Sequence, residues 1–296
     1  SRTKGEHMRV VIVGSTGLIA RRAVEALRAR GDEVVEVSRS EGTVWPGPPE
    51  AFPEDALAGA DAVINLAGAP LAGPRWTDAY KEEMRSSRID LTREIVEAMA
   101  RDTDFDGAFL AGSAVGIYGT GDQELDESSP PGDDYLATLC HDWEVAAAEA
   151  ARGGVRVVNL RTGLVLADEG PVLPRLASLA KTGLGGALGG GDQWFPWIHI
   201  DDEVGIILWA LDGAVEGPVN LTAPGVVRQK QFARELRGVV GRPFGLPTPG
   251  FALKMAMGEA AGMALSGQRP APRVALDGGY EFRFPELEPA LRDLVG

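Results

Sequence analysis

A short glycine-containing segment near the start of the chain has the residue types that bind a phosphate group. Gly14-Ser15-Thr16-Gly17-Leu18-Ile19-Ala20 follows the apolar run Val10–Val13 and opens a helical pattern. The first glycine permits a tight turn, and the second lets the backbone approach a pyrophosphate at the helix N-terminus, where free N–H groups favour an anion. Ala20 replaces the third glycine of such motifs and still allows close helix–strand packing. A plain strand-to-helix turn is the alternative, but the flanking strand and helix favour dinucleotide binding.

The end of the second apolar run carries a cation where NAD enzymes usually have a carboxylate. The chain there has Val37-Ser38-Arg39-Ser40, in the region roughly 20 residues after the glycines where that carboxylate is expected. A carboxylate repels a 2′-phosphate, whereas a guanidinium with neighbouring hydroxyls binds one. Ser38 and Arg39 therefore favour NADP(H) over NAD as the cofactor. Two alternatives stay open: Arg39 is a solvated surface cation, or Glu36 binds the ribose.

Alternating short β-branched runs and longer helical periods predict the elements that position these residues. This alternation is typical of βαβ units, so the predicted fold class is α/β: a Rossmann-like doubly wound parallel sheet with a smaller C-terminal lobe. Ligands of such sheets bind beyond the carboxyl ends of the strands. The predicted strands are Arg9–Val13, Glu33–Val37, Ala62–Leu66, Gly107–Ala111 and Val155–Leu160, and the predicted helices are Leu18–Arg30, Asp78–Arg101 and Tyr135–Arg152.

The pattern changes after residue 166, which predicts the division into domains. Residues 8–166 are predicted to form an NADP(H)-binding Rossmann domain. Residues 167–296 are predicted to form a smaller substrate lobe, part of which returns to the Rossmann sheet. Helical patterns in this lobe lie near Asp202–Leu211 and Gln229–Val240. Residues 1–7 are polar and precede a methionine, so we interpret them as an expression-vector remnant.

Charge and cysteine content limit the kind of partner. The chain has 296 residues, a formal net charge of −14 and one cysteine, Cys140. Such a charge repels nucleic acid and anionic membranes, so the expected partner is a small-molecule substrate, with no nucleic acid and no membrane. A lone cysteine forms no intramolecular disulfide, which favours a cytoplasmic location. The Met-rich stretch Phe251–Leu265 contains Lys254 and Glu259 and is predicted as an amphipathic helix rather than a membrane span.

Several further segments together resemble one family. They are Asp61–Gly68, Arg75-Trp76, Ser87-Arg88-Ile89, Ser113–Gly119, Cys140–Glu144, Leu160–Leu166 and Trp197–Asp202. This set is similar to the extended short-chain dehydrogenases/reductases, and among them to the atypical NAD(P)-dependent "epimerase family". That family is related to sugar-nucleotide epimerases and carries a C-terminal domain of unknown function. The resemblance covers nearly the whole chain.

The resemblance implies which residues contact the cofactor. Beyond the glycine turn, the implied NADP(H) contacts are Ser38, Arg39, Leu66, Ala67, Gly68, Glu83, Arg88, Leu164 and Val165. The small residues that end at Gly68 let the adenine-side ribose and phosphates lie against the backbone. For Glu83 and Arg88 the alternative is a solvated pair on a helix face. The superfamily also suggests a homodimer.

A serine and two tyrosines are the candidate catalytic residues. Ser113 ends a strand in the way typical of this superfamily, Tyr118 follows it closely, and Tyr135 comes 22 residues after Ser113. In active dehydrogenases a lysine four residues after the tyrosine lowers the tyrosine pKa, so that the phenolate acts as general base. Here that position is Leu139, and residues 91–160 contain no lysine. The acid/base residue is therefore unassigned, and Tyr135 is alternatively a packed aromatic.

Two functions remain open from the sequence. The first is an NADP(H)-dependent oxidoreductase or epimerase that acts on a small carbonyl or hydroxyl compound, with Ser113 orienting the oxygen during hydride transfer. The second is a non-catalytic NADP(H)-binding or sensing protein, which the missing lysine favours. No metal is expected, because His141 and His199 lack neighbours at metal-ligand spacing.

Two features of the second half of the chain lead to further predictions. Asp201-Asp202 precedes an apolar helical run and is predicted to cap that helix. Trp194, Phe195 and Trp197 form either a lid over a substrate or part of the core.

Overall fold

A parallel sheet forms the centre of the molecule, for which the computed structural model describes residues 7–102, 104–242 and 244–296. The proposed vector remnant, residues 1–7, lies outside the described residues except for His7. The strands are β1 (Arg9–Val13), β2 (Glu33–Ser38), β3 (Thr43–Val44), β4 (Ala62–Asn65), β5 (Ala108–Ala114), β6 (Glu124–Leu125), β7 (Arg156–Thr162), β8 (Leu164–Leu166), β9 (Trp194–Phe195), β10 (Trp197–His199), β11 (Gly217–Leu221), β12 (Val227–Arg228) and β13 (Arg269–Pro270).

Helices cover this sheet and build the second lobe. They are α1 (Leu18–Ala29), α2 (Glu54–Leu57), α3 (Asp78–Arg85), α4 (Leu91–Arg101), α5 (Tyr135–Ala148), α6 (Leu173–Lys181), α7 (Ile200–Asp212), α8 (Gln229–Val239), α9 (Gly250–Met257), α10 (Gly262–Leu265), α11 (Arg273–Asp277) and α12 (Leu287–Val295). A π-helical turn, Ser86–Asp90, joins α3 to α4, and 3₁₀ turns lie at Val115–Tyr118, Glu149–Gly153 and Gly258–Ala261.

The sheet has seven strands in the order β11-β7-β5-β4-β1-β2-β3, and all of its strand pairs are parallel. Its central strands are apolar because helices cover both of their faces. In β1, for example, Val10–Val13 are at most 2% exposed. The strand order changes direction beside β1, between β2 and β4, which opens a crevice at their carboxyl ends. The predicted α/β fold class is confirmed.

Most predicted elements match the observed ones to within a few residues. The predicted helix Asp78–Arg101 is interrupted by the π-helical turn, a feature often found at functional sites. The chain after residue 166 returns to the sheet through β11, which pairs with β7 from Gly217↔Val158 to Leu221↔Thr162.

The structure corrects two predictions about the second lobe and decides between the alternatives left open by a third. The helix cap predicted at Asp201-Asp202 is wrong: His199 precedes α7, and its Nδ1 accepts a hydrogen bond from the Asp201 N–H at 3.0 Å. The Met-rich stretch is not one amphipathic helix, because Gly258, with φ of +64°, breaks it and α9 buries none of its residues. Trp197, which is 0% exposed, belongs to the core of this lobe rather than to a lid.

Candidate functional site

The phosphate turn lies at the carboxyl end of β1, at the crevice. The N–H groups of Gly14 and Ser15 donate to the Val37 carbonyl at 2.9 and 3.3 Å, and Gly17 N–H donates to the Gly14 carbonyl at 2.9 Å. Gly14 has φ of +82°, and a Cβ there would lie 2.8 Å from the Ala67 backbone, so this position requires glycine. No described side chain caps α1 at Gly17, which leaves the N–H groups of its first turn for an anion.

The predicted 2′-phosphate residues end β2 next to this turn. Ser38 is buried, and its hydroxyl donates to the Glu41 carbonyl at 2.7 Å and accepts from the Glu41 N–H at 2.8 Å. These bonds hold the loop that carries Arg39. Arg39 itself is exposed and forms no ion pair with any described residue. Glu36, the alternative ribose ligand, instead pairs with Arg28 at 2.6 Å.

The loop after β4 forms the opposite side of the crevice. Leu66 N–H donates to the Val13 carbonyl at 2.9 Å, and the Ala67 backbone packs against Gly14. The guanidinium of Arg88 lies under Gly68: a Cβ at Gly68 would be 3.0 Å from Arg88 Cζ.

Arg88 is a buried cation that the π-helical turn directs at this loop. Its guanidinium donates to the carbonyl oxygens of Ala69 at 2.9 Å and Met84 at 3.3 Å, and it lies 5.3 Å from the Trp143 ring centroid. Burial lowers the pKa of Arg88. No carboxylate among the described residues pairs with it. A buried cation without a carboxylate partner is costly, so an anionic ligand at this position would be stabilising. Glu83, by contrast, lies exposed on α3.

Ser113 belongs to a buried polar network rather than to a serine–tyrosine pair. Its hydroxyl donates to Glu144 Oε1 on α5 at 2.6 Å. Arg161 on β7 binds the same carboxylate through two N–H groups at 2.8 and 2.9 Å. Burial acts to lower the pKa of Arg161, but the hydrogen bonds and charge of Glu144 outweigh it and raise the pKa. The Ser113 oxygen can therefore accept a further hydrogen bond from a ligand, but it donates its only proton to Glu144.

Tyr118 belongs to the same network. Its hydroxyl donates to Asn220 Oδ1 at 2.7 Å and accepts from Arg161 Nη1 at 2.9 Å. The side chain is buried, and burial raises its pKa to about 12 although Arg161 acts in the opposite direction. Near neutral pH this phenol is protonated and fully hydrogen-bonded, so it is a poor general base.

Tyr135 does not lie on the face of α5 that meets the 3₁₀ turn after β5. A Cβ at Gly116 would lie 3.5 Å from Leu136 Cβ and 4.0 Å from Cys140 Sγ, so Leu136 and Cys140, four residues apart, occupy that face. Tyr135 faces α3: its hydroxyl donates to the Lys81 carbonyl at 3.2 Å, and Lys81 Nζ lies 5.0 Å from its ring centroid. Burial raises the pKa of Tyr135, with Lys81 opposing.

Glu144 and Arg161 are site residues that reasoning from the sequence missed. Both lie in segments that carry the family resemblance, but only the fold shows that they share one hydrogen-bond network with Ser113. Leu164 and Val165, the implied backbone contacts, form β8 directly after β7 and are half-buried. Strand β8 pairs with β10 in a separate two-stranded sheet.

The described residues show neither a metal-ligand cluster nor a membrane-spanning helix. No group of three or more histidine, cysteine, aspartate or glutamate side chains is arranged to hold a metal ion. None of the helices within the described ranges is long and apolar enough to cross a membrane.

The parallel sheet, the crevice and the phosphate turn define a Rossmann-type protein with a nucleotide-binding turn. The sequence model of the NAD dependent epimerase/dehydratase family matches residues 10–222, and that of a domain of unknown function, DUF1731, matches residues 248–294. The chain therefore belongs to the NAD dependent epimerase/dehydratase family, which confirms the resemblance found in the sequence.

Relatives extend over the full length of the chain. It is 38% identical to the chloroplastic epimerase family protein SDR39U1 homolog of Arabidopsis thaliana, over 100% of this chain and 89% of the homolog. It is 37% identical to the mouse epimerase family protein SDR39U1, over 97% of this chain and 100% of the mouse protein. The crystal structure of human SDR39U1 (isoform 2) with NADPH superposes with a TM-score of 0.87 at 34% identity, covering 97% of this chain and 99% of the human chain.

Proposed function

We propose that the protein binds NADP(H) across the carboxyl ends of β1, β2 and β4. The observation that carries this proposal is Arg39, an exposed cation without an ionic partner among the described residues, beside the phosphate turn. A 2′-phosphate would give it a charge-assisted hydrogen-bond partner. The human relative crystallised with NADPH supports the same cofactor.

The remaining cofactor contacts that we propose follow from the phosphate turn and from the family resemblance. The pyrophosphate would lie over Gly14, Ser15, Thr16 and Gly17, against the N–H groups of Leu18 and Ile19 that begin α1. The other proposed contacts are Ser38, Arg39, Leu66, Ala67, Gly68, Glu83, Arg88, Leu164 and Val165.

The reaction that we propose is hydride transfer, as an NADP(H)-dependent oxidoreductase or epimerase acting on a small carbonyl or hydroxyl compound. The cofactor supplies the hydride, and the chain supplies binding and orientation. Ser113 would accept a hydrogen bond from a substrate hydroxyl, because Glu144 already takes its proton. The single cysteine, Cys140, supports a cytoplasmic location.

A second candidate function has its own observation in favour. The face of α5 that meets the 3₁₀ turn after β5 presents Leu136 and Cys140 rather than Tyr135, and the carboxylate that Ser113 binds, Glu144, is already paired with Arg161. Tyr118, with a pKa of about 12, cannot serve as the general base near neutral pH. These residues support a protein that binds or senses NADP(H) without catalysis.

The cofactor proposal is tested by titrating the purified protein with NADPH and NADH, followed by fluorescence. Arg39→Ala should weaken NADPH binding at least about tenfold, or ~1.4 kcal/mol, and leave NADH binding unchanged, because only NADPH carries the 2′-phosphate. Arg93→Ala, which removes an exposed cation on α4, is the matched control and should change neither affinity. Equal losses for both nucleotides in Arg39→Ala would contradict the assignment of Arg39 to the 2′-phosphate.

Mixing the NADPH-bound protein with a panel of small carbonyl compounds separates the two functions. Loss of NADPH absorbance at a rate proportional to the protein concentration supports an oxidoreductase. An epimerase is identified instead by conversion of a hydroxyl substrate to its epimer without a net change in NADPH. Tight NADPH binding with neither activity favours the sensing protein.

A further inference from the structure

One edge of the C-terminal lobe exposes an unusual number of large apolar side chains. Six of the nine large apolar residues that are exposed in the described part of the chain lie in residues 179–255. They are Leu179, Leu184, Phe244, Leu246, Phe251 and Met255, with exposed fractions of 39, 50, 86, 67, 69 and 74%. Contiguous exposed apolar surface on a soluble domain commonly marks an interaction site.

Hydrogen bonds bring the segments that carry these side chains together. Leu184 N–H donates to the Leu179 carbonyl at 3.0 Å at the end of α6, and Leu246 N–H donates to the Gly183 carbonyl at 2.9 Å. Thr248 N–H donates to the Ala187 carbonyl at 2.9 Å, immediately before α9 begins. The end of α6, residues 244–249 and α9 are therefore neighbours in the lobe.

The same segments are basic, although the protein as a whole is acidic. Residues 179–189 and 242–257, which carry these side chains, contain three basic residues and no acidic residue, in a chain whose formal net charge is −14. Lys181, Arg242 and Lys254 are exposed among the apolar side chains and form no ion pair with any described residue. We call the six apolar residues and these three cations the cationic apolar edge.

Helix α9 shows the arrangement most clearly. Its sequence, GFALKMAM, has one charged residue, Lys254, between the exposed Phe251 and Met255. None of its residues is buried. A helix that exposes aromatic and methionine side chains beside lysine has the composition of segments that lie in a membrane interface.

We propose that the cationic apolar edge binds the surface of an anionic lipid membrane. The apolar side chains enter the interfacial region, and the three cations contact lipid phosphate groups. The rest of the protein is acidic, but salt screens its charges beyond roughly 10 Å, so the local charge decides the contact. The expectation of no membrane partner rested on the net charge and on the lack of an apolar run long enough to span a bilayer, whereas this proposal concerns attachment to a membrane surface through a local patch of the opposite charge.

Two other occupants fit the observations less well. In a symmetric dimer the edge would face its own copy, which would bring the same cations together. A protein ligand that inserts into a groove would require a concave surface. Phe244, at 86% exposure, and Met255, at 74%, instead project into solvent.

Sedimentation of the full chain with vesicles tests the proposal. One vesicle set is phosphatidylcholine alone, and the other is an equimolar mixture with anionic phosphatidylglycerol. We expect binding to the anionic vesicles only, weakening as salt is raised. The double variant Phe251→Ser/Met255→Ser and the single variant Lys254→Glu should each reduce the partition coefficient at least about tenfold.

Matched controls alter similar residues elsewhere. Val145→Ser removes an apolar side chain that is 51% exposed on α5, and Arg152→Glu reverses an exposed charge outside the edge. Both should bind vesicles like the unaltered protein. Unchanged NADPH affinity in the edge variants shows that they are folded and separates this proposal from the cofactor assignment.

Three results would overturn the proposal. They are no binding to anionic vesicles, equal binding to both vesicle sets, and binding that the edge variants do not reduce. A light-scattering mass that is dimeric in the unaltered protein and monomeric in Phe251→Ser/Met255→Ser would assign the edge to a second copy of the chain instead.

Discussion

Glu203 is a single residue whose burial has a measurable consequence. Its side chain lies on α7 and is 0% exposed. Thr162 donates to Oε1 at 2.8 Å, and Oε2 has no partner among the described residues. Burial raises the pKa of this carboxyl from an ordinary value of 4.5 to about 8. The folded protein therefore keeps a proton on Glu203 at neutral pH.

This proton makes stability depend on pH. Above its ordinary pKa the unfolded chain releases the proton while the folded chain keeps it, so Glu203 lowers the unfolding free energy as pH rises from 4.5 to about 8. The loss approaches ~1.4 kcal/mol per pH unit within this window. Glu203→Gln mimics the protonated acid and should remove that slope.

Urea unfolding of both proteins across this pH window measures the difference. Glu203→Gln should be the more stable protein at the alkaline end, with the gap closing towards the acid end. Glu97→Gln, at a carboxyl that is 67% exposed, should leave the slope unchanged. Parallel pH profiles for Glu203→Gln and the unaltered chain would show that the carboxyl is ionised in the folded protein.

At the residue scale, short motifs could be predicted from the sequence, whereas the contacts that individual side chains make in the fold could not. The glycines and Arg39 follow from short patterns whose chemistry depends on a few neighbouring residues. Ser113 was predicted to orient a substrate oxygen, and the partner that its hydroxyl binds in the structure, Glu144, lies 31 residues away. Tyr135 lies one position from Leu136, yet the rotation of α5 directs the two side chains to different neighbours. No local pattern contains that information.

At the scale of elements, the two glycines of the turn between β1 and α1 have different roles. One is needed for the fold of the turn, and the other is proposed to let the cofactor approach. Gly14, with φ of +82°, is needed for the turn itself, because a Cβ would lie 2.8 Å from the Ala67 backbone. Gly17 has φ of −70°, and its Cβ would approach only the Gly14 carbonyl oxygen, at 3.3 Å. An alanine at Gly17, where the pyrophosphate is proposed to lie, therefore requires the Gly14 carbonyl to move by only a few tenths of an ångström.

We expect alanine at Gly14 to lower mainly the stability of the protein, and alanine at Gly17 to lower mainly its affinity for NADPH. Gly14→Ala should lower the unfolding free energy by about 1–3 kcal/mol, because a left-handed backbone is unfavourable for alanine. Gly17→Ala should keep nearly full stability but bind NADPH at least about tenfold more weakly, because its methyl group prevents close approach of the phosphate. Thermal unfolding and nucleotide titration measure both effects. If Gly17→Ala binds NADPH normally, the turn does not hold the pyrophosphate.

Elements with a strong apolar pattern were predicted well, and those formed by tertiary contacts were not. Strand β1 and helix α1 follow from continuous or periodic apolar residues. The π-helical turn that positions Arg88 has no pattern of its own, since it continues the helical period of α3 and α4. Strand β11 begins with Gly217-Pro218, which usually indicates a turn, and becomes a strand because β7 offers an open edge.

At the scale of the whole molecule, the two predicted domains share one core. The main apolar cluster joins Val10 and Leu110 of the sheet to Ile207 on α7 and Val219 on β11, all of them 0% exposed. The boundary predicted at residue 166 follows from a change in composition, but α7 and β11, both beyond it, cover one face and one edge of the sheet. Composition along the chain does not show which segments after residue 166 return to pack on the central sheet.

This shared core predicts cooperative unfolding. A fragment of residues 8–166 would expose the apolar face covered by α7 and leave unpaired the edge of β7 that binds β11, so it should not fold alone. The full chain should instead unfold in one transition, with the same midpoint by circular dichroism and by tryptophan fluorescence. NADPH should raise the midpoint equally by both probes, because a ligand that binds only the folded state stabilises every part of the structure that unfolds with its site. A folded fragment, or two separate transitions of which NADPH shifts only one, would instead show that residues 167–296 form an independent domain, with β11 a removable addition to the sheet.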